Sequence, residues 1–454
     1  MPFIAINPAT EEVIAEYPSH TPAEIDAALS NASAAYRGWR EVSLEDRAVL
    51  MNRAAELLEG EIPVIAQLMT SEMGKTFGAA KGEAAKCAMT MRYYAEHAAE
   101  MLETEQIPTS GSRSGVRHEP IGPVFAIMPW NFPLWQIIRC AAPIIMAGNV
   151  TVLKHAPNVP GCALYIENLF TRAGFASGVF TNLFVEVDQV EGIIADPRVA
   201  GVTLTGSEQA GRSVGALAGK YLKRCVLELG GSDPFIVASS ADMDRTVAMA
   251  VTARVQNNGQ ACIASKRYIV VRDRAQEFTD RFVEAMAAVP TGDPMDPSTV
   301  LGPLVSKSQL ELLTAQVSSS LAKGAVARTG GAPIEGLGYY YPATVLTNVP
   351  ADARAGCEEL FGPVAVVQVV DDLDEAIALA NSTPWGLGGS IWATDEKEID
   401  AALTRLEAGM VFANAIVVSM PELPFGGTKN SGIGRELSFS GVREFTNAKS
   451  FYVA

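Results

Sequence analysis

Histidine is scarce in this 454-residue chain: four residues, His20, His97, His118 and His155, stand far apart. The six cysteines (Cys87, Cys140, Cys162, Cys225, Cys262 and Cys357) are equally scattered, with no CxxC pair. Zinc centres draw their His and Cys ligands from short-spaced pairs, so no zinc signature is present. The same dispersion speaks against a disulfide scaffold and for a reducing, cytoplasmic setting. The N-terminal stretch MPFIAINPATEEVIAEYP has no unbroken apolar core of the kind a signal peptide needs.

Basic charge is in deficit. Thirty-five Lys and Arg against 51 Asp and Glu leave a net charge of −16. Sequence-independent nucleic-acid binding depends on clustered cations, as does attachment to an acidic membrane surface, and both are disfavoured. Long hydrophobic runs are also missing. From Pro120 to Leu153 the only charge is Arg139, but Pro120, Pro123, Pro129, Pro133 and Pro143 break the stretch. It reads as buried interior of a soluble protein rather than a membrane span.

What is present is ordinary globular material, 48% hydrophobic and 19% charged. The length suggests two or three domains at about 150 residues each. The first hundred residues read as helices, the first opened by the capping box Thr21-Pro22-Ala23-Glu24. From residue 121 apolar strands and helices alternate. Strands are expected at Val124–Met128, Asn149–Leu153, Val179–Val185, Gly201–Thr205 and Cys225–Leu229. A second series has strands at Phe235–Val237, Tyr268–Val271, Val364–Val370, Ser390–Trp392 and Met410–Ala413. Near-continuous apolar strands joined by helices imply parallel sheets covered on both faces. Two α/β units with a seam near Gly230-Gly231 would leave a cleft between them, with ligands at strand carboxyl ends.

Four motifs carry chemistry. Cys262 follows the amide- and glycine-rich break Asn257-Asn258-Gly259-Gln260-Ala261, where free backbone N–H groups favour a thiolate and an oxyanion. A buried free cysteine with no reactivity is the plainer reading for any one of the six. Glu228 ends an apolar strand just before Gly230-Gly231 and is a candidate general base; a solvated strand end is its plain alternative. Asn131, in Pro129-Trp130-Asn131-Phe132-Pro133, offers an amide to a developing oxyanion or merely bonds its own turn. In Leu204-Thr205-Gly206-Ser207 a strand runs into a helix capped by Ser207, whose N-terminus can hold a phosphate. No GxGxxG fingerprint is present.

Together with Glu358-Glu359-Leu360-Phe361-Gly362-Pro363 and Pro424-Phe425-Gly426-Gly427, these motifs resemble the aldehyde dehydrogenase superfamily over essentially the full chain. The resemblance implies two doubly wound α/β domains, a Rossmann-like cofactor domain and a catalytic domain, plus a small β oligomerisation arm. Residues 1–101 and 121–229 would form the first, 230–440 the second, and 102–120 with 441–454 the arm of a homodimer or homotetramer. It implies NAD(P)-dependent oxidation of an aldehyde to an acid through a thiohemiacetal and thioester on Cys262. Asn131 and the Cys262 N–H would hold the oxyanion, and Glu228 would activate water. Glu359 and Phe361 would hold the nicotinamide ribose and ring, Gly206 and Ser207 would face the pyrophosphate near Trp130, and Lys154 would reach the adenosine ribose. No metal is required.

Two departures refine this. Where NAD-preferring members commonly place Glu, three residues after the lysine, this chain has Pro157. A 2′-phosphate then meets no repelling carboxylate, and Lys154 with His155 could attract it, so NADP is expected ahead of NAD. A strand terminator is the plain reading of Pro157. Arg139, alone in its apolar stretch, needs an anionic partner. Succinate-semialdehyde dehydrogenases carry Arg there and Ser where Ser419 stands, to bind the substrate carboxylate; a second Arg of some members is Gln256 here. A salt bridge within the chain is the alternative for Arg139. Other readings of the whole are a broader semialdehyde or aliphatic aldehyde dehydrogenase, one acting on a phosphorylated aldehyde, and a non-catalytic protein on the same fold.

Overall fold

Local signals set the helical start of the chain. In the computed structural model, which describes residues 3–454, the Thr21 hydroxyl accepts the Glu24 N–H while the Glu24 carboxylate accepts the Thr21 N–H at 2.7 Å. This opens the helix Pro22–Trp39. Ser43 and Thr76 cap the helices Leu44–Gly60 and Phe77–Met101 by the same hydroxyl-to-amide bond.

The α/β alternation then builds two sheets. The first, six-stranded, has the order Gly432–Ile433, Arg224–Glu228, Gly201–Thr205, Pro123–Ile127, Val150–Lys154, Phe180–Asn182. All its pairings are parallel except that of Gly432–Ile433. Its inner strands are buried residue after residue, as a sheet covered on both faces requires. The helix Trp135–Met146 is buried along its whole length between this sheet and the helix Phe77–Met101, and it carries Arg139.

The second sheet has seven strands, in the order Val326–Thr329, Thr344–Thr347, Val364–Val370, Arg267–Val271, Pro234–Val237, Gly388–Trp392, Met410–Ala413. Only the Val326–Thr329 pairing is antiparallel. A third sheet pairs Thr446–Val453 with Arg113–Pro120, which pairs in turn with Glu105–Gln106. Thr446–Val453 is its edge strand, as the apolar pattern at residues 449–453 suggests.

Three expectations need correction. The strand foreseen at Val179–Val185 is only Phe180–Asn182, because it pairs on one side alone before the chain turns away. Between residues 290 and 363 the sequence pattern gave no elements, yet the helix Lys307–Ala322 and two strands lie there. The boundary at residue 440 also differs from sheet membership. Gly432–Ile433 already belongs to the first sheet, and the helix Ser438–Glu444 packs on Trp135–Met146. Among the described residues no helix is long and apolar enough to cross a membrane.

Candidate active site

The ladder register fixes what stands at one end of the first sheet. Thr205 is level with Glu228, and Ile127 is level with both Leu204 and Lys154. The residues that follow these strands therefore leave a common, carboxyl edge. Pro129, Trp130 and Asn131 come from one strand, Gly206 and Ser207 from the next, and Leu229 and Gly230 from the third. All seven line a cleft of about 290 Å³. Ser207 caps the helix Glu208–Lys220 by accepting the Ala210 N–H, as its sequence context suggests.

The opposite wall comes from the amino-terminal side of the second sheet. Cys262 precedes the strand Arg267–Val271, Glu359 and Phe361 precede Val364–Val370, and all three line the cleft. The rule that ligands meet strand carboxyl ends holds for the first sheet and is reversed for the second. The cause is the direct link Leu229–Asp233, which leaves the carboxyl end of one sheet and enters the amino end of the other.

A tight backbone turn presents the thiol. Asn257, Asn258 and Gly259 take successive left-handed conformations with φ of 53°, 58° and 73°. Asn258 is pinned at both ends of its amide: it donates to the carbonyls of Gly74 and Pro303 and accepts from Gly302 N–H. Gly259 packs against the backbone of Gly362, where any Cβ would collide. Arg254 donates to the Gly259 carbonyl at 2.7 Å. Asn257 donates to the carbonyls of both Asn131 and Gln260, and the Asn131 amide donates to Gln260 at 3.1 Å. The segments carrying Asn131 and Cys262 are thus bonded to each other.

Several groups that sequence reasoning missed hold this arrangement. Lys266, fully buried, donates to the carbonyls of Ala261 (3.1 Å) and Cys262 (2.5 Å) and lies 3.2 Å from the Glu359 carboxylate. From the helix Lys307–Ala322, Gln309 donates to the Phe361 carbonyl and Gln316 to that of Glu359. Trp130 and Phe361 meet edge to face across the cleft at 5.6 Å. On the first sheet's side, the buried Glu83 carboxylate accepts the N–H groups of Leu134 and Trp135, capping a helix that has no cap of its own. Lys75 pairs with Glu83 and stacks on Phe132 at 4.2 Å. Nothing linear marks Lys266, Gln309, Gln316, Glu83 or Lys75, whereas Trp130 and Phe361 belong to motifs the sequence displays. The Asn-Asn-Gly triplet was the visible signal of the turn.

Electrostatics at the site favour neutral forms. Burial pushes the Cys262 thiol up to about 11, against the pull of the Arg139 and Lys266 cations. Glu228 titrates well above the usual carboxylate range, through burial first and the neighbouring Glu436 carboxylate second. Neither Glu228 oxygen has a hydrogen-bond partner among the described residues. The Glu228 carboxyl packs beside Gly426 and does not line the cleft.

The chain is matched over residues 2–451 by the model of the aldehyde dehydrogenase family. It is 50% identical over 459 residues to succinate-semialdehyde dehydrogenase [NADP(+)] 1 of Mycobacterium tuberculosis, covering all of both chains. The corresponding enzyme of Mycobacterium ulcerans is equally similar, 50% over 457 residues with full coverage of both. The crystal structure of succinic semialdehyde dehydrogenase from Streptococcus pyogenes with NADP+ superposes with a TM-score of 0.97, at 38% identity over 99% of each chain.

This chain belongs to the aldehyde dehydrogenase family.

Not every family-derived expectation meets at the cleft. Lys154 is buried at its strand end with no acid partner among the described residues, and Pro157 is exposed beyond it. His155 does not stand ready for a phosphate. Its ring is buried against the carbonyls of Met128 and Pro133, and burial holds its pKa at about 4. Arg139 finds the anion it needs inside the chain. It pairs with the buried Glu436, donates to Thr205, and lies over the Phe425 ring at 4.4 Å. The salt bridge within the chain, given as the alternative for Arg139, is the arrangement the structure contains. Gln256 ends the helix Met243–Val255, with its amide turned to the Ala253 carbonyl and away from the cleft lining. Ser419 is buried and lines a separate hollow of about 240 Å³ with Phe412, Pro424 and Phe425.

Proposed function

We propose that this chain oxidises succinate semialdehyde to succinate with NADP+. The observation that carries the reading is the convergence of Cys262 and Asn131 on one cleft in a chain half identical, end to end, to dehydrogenases of that name. The donor set suits the cofactor. Ser207 opens a helix whose N-terminus faces the cleft, and Lys154 is a buried cation lacking an acid partner among the described residues. With Pro157 where a carboxylate would repel it, a 2′-phosphate is accommodated.

In this reading the Cys262 thiol gives its proton to solvent, its sulfur bonds to the aldehyde carbon, and the carbonyl π electrons become an oxyanion that lies between the Asn131 amide and the Cys262 N–H. NADP+, when bound, supplies the acceptor for the hydride that leaves this carbon. A thioester to Cys262 remains. Glu228, swung into the cleft, takes a proton from the water that hydrolyses it, releasing the acid and the thiol. A raised carboxyl pKa makes its ionised form the stronger base. Lys266 and Gly231 N–H hold Glu359 for the nicotinamide ribose, and Phe361 bounds the ring. The exposed edge strand Thr446–Val453 supports a homodimer or homotetramer. The six free cysteines suit a reducing, cytoplasmic compartment.

A panel of aldehydes assayed with NADP+ and NAD+ tests the proposal. Succinate semialdehyde with NADP+ is expected to give the highest kcat/KM. An uncharged aldehyde outrunning it would support the broader aliphatic reading instead. Pro157→Glu is expected to move the NADP/NAD ratio of kcat/KM towards NAD by about 10- to 100-fold, from like-charge repulsion; an unmoved ratio would remove Pro157 from the cofactor argument.

A further inference from the structure

Two cations, the buried Arg139 and the half-buried Lys86, flank the same aromatic helix turn, and only Arg139 is paired with a carboxylate. Trp135 and Arg139 stand four residues apart on the helix Trp135–Met146 and therefore share a face. Arg139 spends its charge on Glu436. Lys86, on the helix Phe77–Met101, lies over the Trp135 ring at 4.0 Å and donates to the Ser419 hydroxyl at 2.6 Å. Among the described residues it has no carboxylate within ion-pair distance.

An ammonium drawn into an aromatic wall without a counter-ion is costly unless something anionic arrives. Burial, with the Arg139 charge second, lowers the Lys86 pKa to about 8, which records that cost. The position is close to the chemistry. Gln136, the neighbour of Trp135, lines the Cys262 cleft and donates to the Asn131 side-chain oxygen. Ser419 and Phe425 line the separate hollow of about 240 Å³, and Phe425 covers Arg139.

We propose that Lys86, with Ser419, forms the cationic end of the substrate site and binds the carboxylate of a short ω-carboxy aldehyde. The assignment rests on the proposed activity and adds the group that selects an anionic substrate, in place of an Arg139 already committed to Glu436. The Ser419 hydroxyl, which accepts from Lys86, keeps its own hydrogen to donate to the same carboxylate. Trp135 covers one side of the ammonium, which lessens the screening of its attraction for an anion.

The test compares succinate semialdehyde with butanal, which has the same chain length and no carboxylate, in wild-type enzyme, Lys86→Met and Lys86→Arg with NADP+. Lys86→Met is expected to lower the ratio of kcat/KM for succinate semialdehyde over butanal by about 10- to 100-fold, chiefly through KM. Lys86→Arg should restore most of the ratio. Equal losses on both substrates, or a ratio that survives the Met substitution, would overturn the assignment. Should Lys86→Met lose its fold, judged by thermal unfolding, Lys86→Gln retains a hydrogen bond to Ser419 and must show the same fall in the ratio. A wild-type enzyme with no preference for succinate semialdehyde would refute the proposed activity itself. A preference that persists without Lys86 would refute only the role of Lys86.

Discussion

The two walls of the cleft are made differently. The first sheet presents its carboxyl edge, where strands open into helices and a residue such as Asn131 or Ser207 needs only a short turn to reach the ligand. The second presents its amino edge, where the chain arrives from helices and loops before entering the strands. There Cys262 depends on three consecutive left-handed residues, and Lys266 ties it to Glu359. One wall uses the geometry parallel sheets supply; the other stores strain and buried charge to reach the same point. Chemistry can be placed at either edge, but the second placement needs more support from elsewhere in the chain.

The largest expected effect is on the first wall. Asn131→Ala should lower kcat by about 10²- to 10³-fold, the usual loss of one oxyanion donor, with cofactor binding retained. Pre-steady-state measurement of hydride transfer checks this, and an undiminished rate would remove Asn131 from the oxyanion site. On the second wall, Gly259→Ala forces a side chain into a left-handed residue and against the Gly362 backbone. A displaced thiol should lose about 10- to 100-fold in kcat/KM, with a lower unfolding temperature. Wild-type behaviour would mean that the strained turn is not what presents Cys262.

The same division governs what the sequence reveals. On the first wall, apolar runs ending in Pro129-Trp130-Asn131 and in Gly206-Ser207 mark both the strand and its functional end, since strand and site are adjacent in the chain. On the second wall the cysteine motif is legible, but its supports are not. Lys266 and Gln316 meet the Glu359 segment only through folding, and in linear form each resembles a solvated residue. Glu83 shows the same difficulty beneath the Asn131 loop: an ordinary helix glutamate by pattern, it caps a helix about fifty residues later. Arg139 was legible as a charge needing an anion, but its partner Glu436 is far along the chain and nothing local names it. The helix Lys307–Ala322, rich in Ser and Gln, carries only a thin apolar stripe of Leu313 and Val317 in its buried face.

Trapping the acyl enzyme tests the central claim most directly. In Glu228→Gln, mixed with succinate semialdehyde and NADP+ and quenched in acid, hydride transfer should proceed once while hydrolysis of the thioester stalls. Peptide mass spectrometry is expected to find one succinyl group on the peptide bearing Cys262, together with one equivalent of NADPH. NADPH formed with Cys262 unmodified, or a succinyl group on another residue, would contradict the account.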